Sequence, residues 1–302
     1  MKAVVLNGYG GVEQLEYKDV PDPKPAGGEV LVKVTGTSLN PLDLKLRSGR
    51  MKEAMPLPLP WILGSDVSGE VVGVGSGVTR LKVGDKVLGK VDHGYAELVA
   101  VKEDSLALVP DGLAMDQAAV IPVVALTGAQ IIELGVKPKA GDTILVTGAL
   151  GAVGRSAIYV AGIHGALAIA GVRKSQKQEA QLLGAERVVA IDDDAEIAAL
   201  GEVDAIADTV GGGTIEKLLP KLKKGGVVAT VLGQPPAGAA KVGAKVELVF
   251  MKPDAKRLAE LAEDVKEGDL VIPIGARFKL SEIREAHTAA EKGGGGKVLI
   301  TA

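Results

Sequence analysis

The sequence predicts an α/β protein in which a small antiparallel, barrel-like β domain leads into a doubly wound parallel sheet. Residues 1 to about 110 carry short alternating or β-branched runs, such as Val30-Leu31-Val32-Lys33-Val34 and Glu70-Val71-Val72-Gly73-Val74, set apart by turn signals such as Gly75-Ser76-Gly77. From about 115 to 264, strand-like and helix-like runs alternate, the pattern of parallel strands joined by crossover helices. After 265 the pattern of the first region returns. The first domain is therefore expected to be discontinuous, 1–114 completed by 265–302, around a second domain at 115–264.

Within the first region, Pro56, Pro58 and Pro60 alternate with apolar residues and predict an irregular loop. One long apolar helix is expected from Ala114 to Leu134. It leads into strand 143–146, helix 152–163, strand 166–171, helix 174–183, strands 187–191 and 203–207, helix 214–221 and strand 227–231. A helix over 254–267 follows. An amphipathic helix over 281–292 takes Ser281 as its N-cap and stops at Gly293–Gly296. Lys297-Val298-Leu299-Ile300 is the last strand.

The chemistry-bearing segment is Gly148-Ala149-Leu150-Gly151-Ala152-Val153-Gly154. Upstream, Thr143-Ile144-Leu145-Val146 reads as a strand buried on both faces, and downstream a helix begins. At such a junction Gly148 permits a tight turn, Gly151 lets backbone N–H groups approach a pyrophosphate, and Gly154 lets the helix pack closely on the strand. The spacing is G-x-x-G-x-x-G, not the usual G-x-G-x-x-G, in a chain with 41 glycines, so context carries the argument. In open parallel sheets the ligand crevice lies at the carboxyl ends of the strands, so Asp208-Thr209-Val210-Gly211 and Leu232-Gly233-Gln234 are expected to line it, with Val210, Gly211, Leu232 and Gly233 as cofactor-binding candidates.

Sites for NAD usually place a carboxylate about 20 positions beyond the turn, on the ribose 2′-hydroxyl. Here the next strand ends in Gly171-Val172 without one, and Arg173, Lys174 and Lys177 follow. Cations suit a 2′-phosphate, so NADPH is expected over NADH. The blander reading is that these cations only solvate a helix start, where they oppose the helix dipole.

Composition excludes other classes. With a net charge of −3, 2% aromatic residues and no basic stripe, nothing points to a nucleic-acid partner or base-stacking platform. No uncharged run reads as a membrane span and the N-terminus lacks a signal-peptide core, so a cytoplasmic location is expected. There are no cysteines, and His93, His164 and His287 lie far apart without ligand spacing, so no metal site is expected.

Beyond these readings, an ordered set of motifs resembles the zinc-independent, ζ-crystallin-like quinone oxidoreductase branch of the medium-chain dehydrogenase/reductase superfamily. The set includes Gly28-Glu29-Val30-Leu31-Val32-Lys33-Val34, Ser38-Leu39-Asn40-Pro41-Leu42-Asp43, Gly64-Ser65-Asp66-Val67-Ser68-Gly69, Ala125-Leu126-Thr127, the glycine turn, Asp208-Thr209-Val210-Gly211 and Gly296-Lys297-Val298-Leu299. The resemblance implies a GroES-like β domain, a Rossmann NADP-binding domain and a homodimer. In zinc-dependent members a Cys stands near Leu39-Asn40 and a Gly-His-Glu at Gly64-Ser65-Asp66; neither is present here. Asn40 matches a polar group beside the nicotinamide, and Thr127 and Lys297 match cofactor-contacting positions. An amide in that place orients a carbonyl by hydrogen bonds without committing a charge. Asp43 is expected to brace its loop, for example against Arg47, more than to act as a base. Lys45 stands where the family often has Tyr at the substrate mouth, and Ile191 where it has Tyr near the adenosine phosphates. Asn40, Asp43 and Lys45 are the catalytic candidates.

The activity so implied is hydride transfer from NADPH to a quinone. The alternatives are reduction of α,β-unsaturated aldehydes or ketones, for which Lys45 or Tyr95 would serve as proton donor, and a non-catalytic NADPH-binding protein. The strand Val246–Phe250 is the candidate dimer edge.

Overall fold

The computed structural model describes residues 1–293 and 295–302, so Gly294 of the predicted Gly293–Gly296 stop lies outside the described residues. Its strands are β1 Lys2–Leu6, β2 Leu15–Asp19, β3 Glu29–Leu39, β4 Trp61–Ile62, β5 Asp66–Val74, β6 Lys86–Lys90, β7 Leu98–Lys102, β8 Leu106–Leu108, β9 Thr143–Thr147, β10 Leu167–Val172, β11 Arg187–Ala190, β12 Val203–Asp208, β13 Leu222–Thr230, β14 Lys245–Leu248, β15 Ile274–Lys279 and β16 Lys297–Thr301. They fall into two compact units, Met1–Val123 with Pro253–Gly268 and Ile272–Ala302, and Val124–Lys252 with Asp269–Val271.

The first unit is built on a seven-stranded sheet, ordered β15-β16-β3-β5-β6-β8, with β7 also on β3, and on a smaller sheet β2-β1-β4. The eleven-residue β3 carries both ends of the design. Its first half pairs with β7, and its last residues, Gly36 to Leu39, pair with β16, which is how the returning tail joins this unit. Alternation in β3 buries Val30, Val32 and Val34 against Val67, Val71, Val87 and Leu106.

The second unit is a six-stranded, all-parallel sheet ordered β11-β10-β9-β12-β13-β14, the doubly wound Rossmann order. Central β9 reads Ile144, Leu145, Val146, each fully buried, as a strand covered on both faces demands. The order reverses beside β9, so the crevice opens at its carboxyl end, where the glycine turn sits.

Several expected elements differ. The helix expected over 114–134 is three pieces: Met115–Ala118, Pro122–Gln130 and a π-helical turn Ile131–Val136. Pro122 has no N–H to donate and starts the second piece. The expected helix 174–183 is helical only in short stretches, with α geometry confined to Lys177–Ala180. Ser281 does not cap its helix; the Glu282 carboxylate instead accepts from the Lys279 N–H at 2.7 Å. The helix Ala255–Glu267, capped by Asp254, falls in the first unit, and the division after Val123 lies beyond the expected 114/115 boundary.

Candidate functional site

In the second unit the site is the turn between β9 and the helix Ala152–Ile163. Gly148 has φ +63°, a left-handed value that favours glycine, and a Cβ on Gly154 would stand 2.3 Å from the Gly148 carbonyl oxygen. Two of the turn's N–H groups serve the turn itself: Gly151 donates to Gly148 and Ala149 to Gly171 on β10, at 2.9 and 3.2 Å. The Gly151 N–H is thus not the group aimed outward. Those of Ala152, Val153 and Gly154, in the first turn of a 12-residue helix, lack intrahelical acceptors and offer the anion site. The cradle fits a dinucleotide pyrophosphate.

A carboxylate of the crevice-lining segment 208–211, whose role the sequence left open, organises the neighbouring loops. Asp208, fully buried at the end of β12, accepts from Thr147 Oγ1 at 2.9 Å, from the N–H groups of Val210 and Gly211 at 3.2 and 2.9 Å, and from Thr230 Oγ1 at 3.1 Å. Thr209 closes the set by donating to the Thr147 carbonyl. Three strand ends, β9, β12 and β13, are so tied to one acid. Its signal in the sequence is an acid ending a buried strand just before Gly211. A cavity of about 260 Å³ lies here, lined by Asp208, Gly211, Ile215, Leu232, Gln234 and Pro235. Gly233 is exposed beside it, and Val210 is half-exposed. Thr127 is nearly buried on the helix Pro122–Gln130 of the same unit.

At the end of β10, Gly171 and Val172 are buried and the three cations lie outside them. The absence of an acid on this strand does not leave the cations unopposed. Lys174 pairs with Asp193 and Lys177 with Glu196, each at 2.7 Å, so the expectation of a plainly cationic pocket is corrected. The carboxylates come from the N-cap and first turns of the helix Asp194–Ala199, which follows β11; that strand lies beside β10 in parallel register, Val172 opposite Ala190.

The first unit holds a separate buried polar network where β3, β5 and β16 meet. The Asn40 amide donates to Asp66 Oδ2 at 2.8 Å and its oxygen accepts from Lys297 Nζ at 2.6 Å. Lys297 also donates to the Leu39 carbonyl at 2.9 Å and stands 3.6 Å from Asp66, which takes further hydrogen bonds from Ser38 Oγ and the Val123 N–H. Burial pulls the Lys297 ammonium below its ordinary range, against the carboxylates that support it. The network joins Asn40 and Lys297, two sequence candidates, and adds Ser38 and Asp66.

Asp43 belongs to the same neighbourhood but not in the expected way. Its carboxylate accepts from the Asn40 and Gly64 N–H groups at 2.8 and 3.3 Å, bracing the start of the helix Pro41–Arg47. Burial pushes it up to about 6, held back by the Asn40 N–H and the Lys297 charge. Arg47 does not meet it; the guanidinium binds Glu291 and approaches His287 Nδ1 at 3.4 Å. Lys45, half-buried on the same helix, has no side-chain hydrogen bond or ion pair among the described residues. Tyr95 is fully buried, and burial first, then the Asp43 charge, raise its hydroxyl. A proton donor to an incoming acceptor needs exposure that Tyr95 lacks.

A parallel Rossmann sheet with a phosphate-binding turn, together with a β unit carrying a buried amide–ammonium–carboxylate network, defines a nicotinamide-dependent oxidoreductase scaffold. The family model described as the alcohol dehydrogenase GroES-like domain matches residues 26–111, and that described as zinc-binding dehydrogenase matches 183–300. A chloroplast envelope quinone oxidoreductase homolog of Arabidopsis thaliana is 31% identical over 99% of this chain and 98% of its own. An NADPH-dependent alkenal/one oxidoreductase of the same plant is 32% identical over 99% of this chain and 79% of its own. The solved quinone oxidoreductase of Coxiella burnetii superposes with a TM-score of 0.89 at 31% identity, covering 100% of this chain and 99% of that one. The chain belongs to the quinone oxidoreductase family of the medium-chain dehydrogenase/reductase superfamily.

One family model carries zinc in its description, but the donors here do not fit that metal. The chain has no cysteine, and among the described residues no three His, Asp or Glu side chains cluster as ligands. Both Asp66 oxygens are taken, and the Lys297 ammonium already supplies a positive charge beside it. Among the described residues no helix is long and apolar enough to cross a membrane.

Proposed function

We propose that the chain is an NADPH-dependent quinone oxidoreductase that works without zinc. The observation that carries this reading is the Gly148–Gly154 cradle, which only a glycine at 154 leaves open, on a chain related end to end to quinone oxidoreductases. When bound, the nicotinamide supplies the hydride that the acceptor takes up. The chain's own residues do the rest. The N–H groups of Ala152, Val153 and Gly154 hold the pyrophosphate, with Ala149, Leu150 and Gly151 shaping the turn. Thr127, Val210, Gly211, Leu232 and Gly233 line the remaining cofactor surface, and Arg173, Lys174 and Lys177 face the 2′-phosphate.

In the first unit, Asn40 keeps its amide in one orientation because Asp66 and Lys297 hold its two ends. The Lys297 ammonium, held in place by the Leu39 carbonyl and the Asn40 oxygen, supplies a field that favours the oxyanion that forms as a quinone is reduced. A quinone's product anion is resonance-stabilised, so no dedicated acid is required. Lys45 is assigned a guiding role at the mouth and Asp43 that of a brace beneath Asn40.

The second reading, reduction of a conjugated enal or enone, has support in the relative named an alkenal/one oxidoreductase. Parallel assays of NADPH oxidation with a naphthoquinone and an enone decide between the two. Turnover of the quinone is expected; turnover of the enone alone overturns the first reading. The assembly proposed is a homodimer through the β14 edge, where Leu248 and Phe250 are exposed at 38% and 65%. Sedimentation at micromolar concentration tests it, a lone monomer boundary being the contrary result.

A further inference from the structure

The segment after β11, running into the helix Asp194–Ala199, sets the carboxylates of Asp192, Asp193 and Glu196 against the stretch Arg173–Lys177 that follows β10. Each acid is fixed by backbone donors and not by the cations alone. Asp192 accepts from the Lys174 N–H at 2.7 Å, Asp193 from the N–H groups of Ala195 and Glu196 at 3.0 and 3.2 Å, and Glu196 from the Ala190 N–H at 2.9 Å. Onto these anchored acids close Lys174 and Lys177. Of the cations only Arg173, exposed, has no such side-chain pair among the described residues. The pairing raises Lys174 and lowers Asp193, while Glu196 is lowered first by the Ala190 N–H and then by Lys177.

A 2′-phosphate reaching Lys174 and Lys177 has to compete with carboxylates already seated there, whereas a ribose 2′-hydroxyl meets acceptors and no charge conflict. We propose that Asp193 and Glu196 are specificity-determining residues: by holding Lys174 and Lys177 in internal pairs they restrain the preference for NADPH and admit NADH. The proposal rests on the reading of this corner as the adenosine-ribose subsite. It assigns selectivity to the helix start that follows β11, and not to the residue ending β10 itself.

The test is calorimetric titration of the full chain with NADPH and with NADH, with no turnover required. Asp193→Asn keeps the helix cap, since Asn caps as well as Asp, and Glu196→Gln keeps an acceptor for the Ala190 N–H. In the double variant the NADPH Kd is expected to fall about fivefold, the effect of releasing two solvent-accessible pairs, with the NADH Kd unchanged. A second variant, Lys174→Ala with Lys177→Ala, checks the subsite. If it weakens NADPH binding while the acid variant leaves the NADPH-to-NADH ratio unchanged, the proposal is overturned and the subsite stands. If the lysine variant leaves NADPH binding intact, the subsite reading fails, and the proposal with it.

Discussion

Gly154→Ala is expected to weaken NADPH binding by about 100-fold, while Gly162→Ala, eight residues further along the same helix, leaves it unchanged. The two sites receive the same methyl in opposite surroundings. At Gly154 the Cβ meets the Gly148 carbonyl oxygen at 2.3 Å and Ala149 Cα at 2.7 Å, backbone atoms that cannot rotate away, so the turn itself must move. Displacing it takes the three free N–H groups off the phosphates, and each charge-assisted bond is worth about 1.5–3 kcal/mol. Losing two of the three exceeds the roughly 2.8 kcal/mol of a 100-fold change. At Gly162 a Cβ meets nothing within 4 Å. There alanine gains about 0.5–1 kcal/mol of stability from helix propensity alone. Titration with NADPH and thermal melting of both variants read the contrast. Undiminished binding by Gly154→Ala would remove the turn from the cofactor site.

That contrast shows what a sequence makes legible. The turn is local: strand, glycines and helix lie within 21 residues of chain, so hydrophobic period and glycine placement reveal it. The parallel order around β9 follows from alternating elements. What the sequence concealed are contacts made across the chain. Asn40 meets Asp66 26 positions away and Lys297 257 positions away, and no spacing rule joins them. The acids that face Lys174 and Lys177 lie 19 residues on, brought near by the pairing of β10 with β11. The end of β10 displays the cations and not their partners. Pro122 was visible as a residue, yet the apolar run around it masked the break it makes. For Asp43 the sequence suggests Arg47, four positions on, because helical neighbours are the pairs that spacing reveals; in the fold the helix's own N-terminus holds the carboxylate instead.

The second large effect is expected at Lys297. Lys297→Met keeps the length of the stem and removes the ammonium, leaving Asp66, Asp43 and the Asn40 oxygen without it. Stripping one partner from a buried ionic set costs about 3–5 kcal/mol, because the remaining charge stays out of water. The loss depends on pH, and its sign follows from Asp43. The folded protein holds that carboxyl at about 6, above its ordinary value of 3.8, so the stability of its protonated form is fully present below about 4 and is lost as pH rises through 6. The Lys297 charge is one of the forces holding Asp43 down. Without it Asp43 titrates higher still, and the carboxylate costs more wherever it is ionised. The stability deficit of Lys297→Met relative to the wild type is therefore expected to be smaller at pH 5 than at pH 8, as read from urea unfolding at each pH. A deficit that is flat across that range would detach Asp43 from Lys297. In the same variant quinone reduction is expected to fall chiefly in kcat, since the ammonium acts on charge that develops during reduction, with the NADPH Kd little changed because the phosphate turn belongs to the other unit. A loss confined to NADPH affinity would make Lys297 a cofactor contact and nothing more.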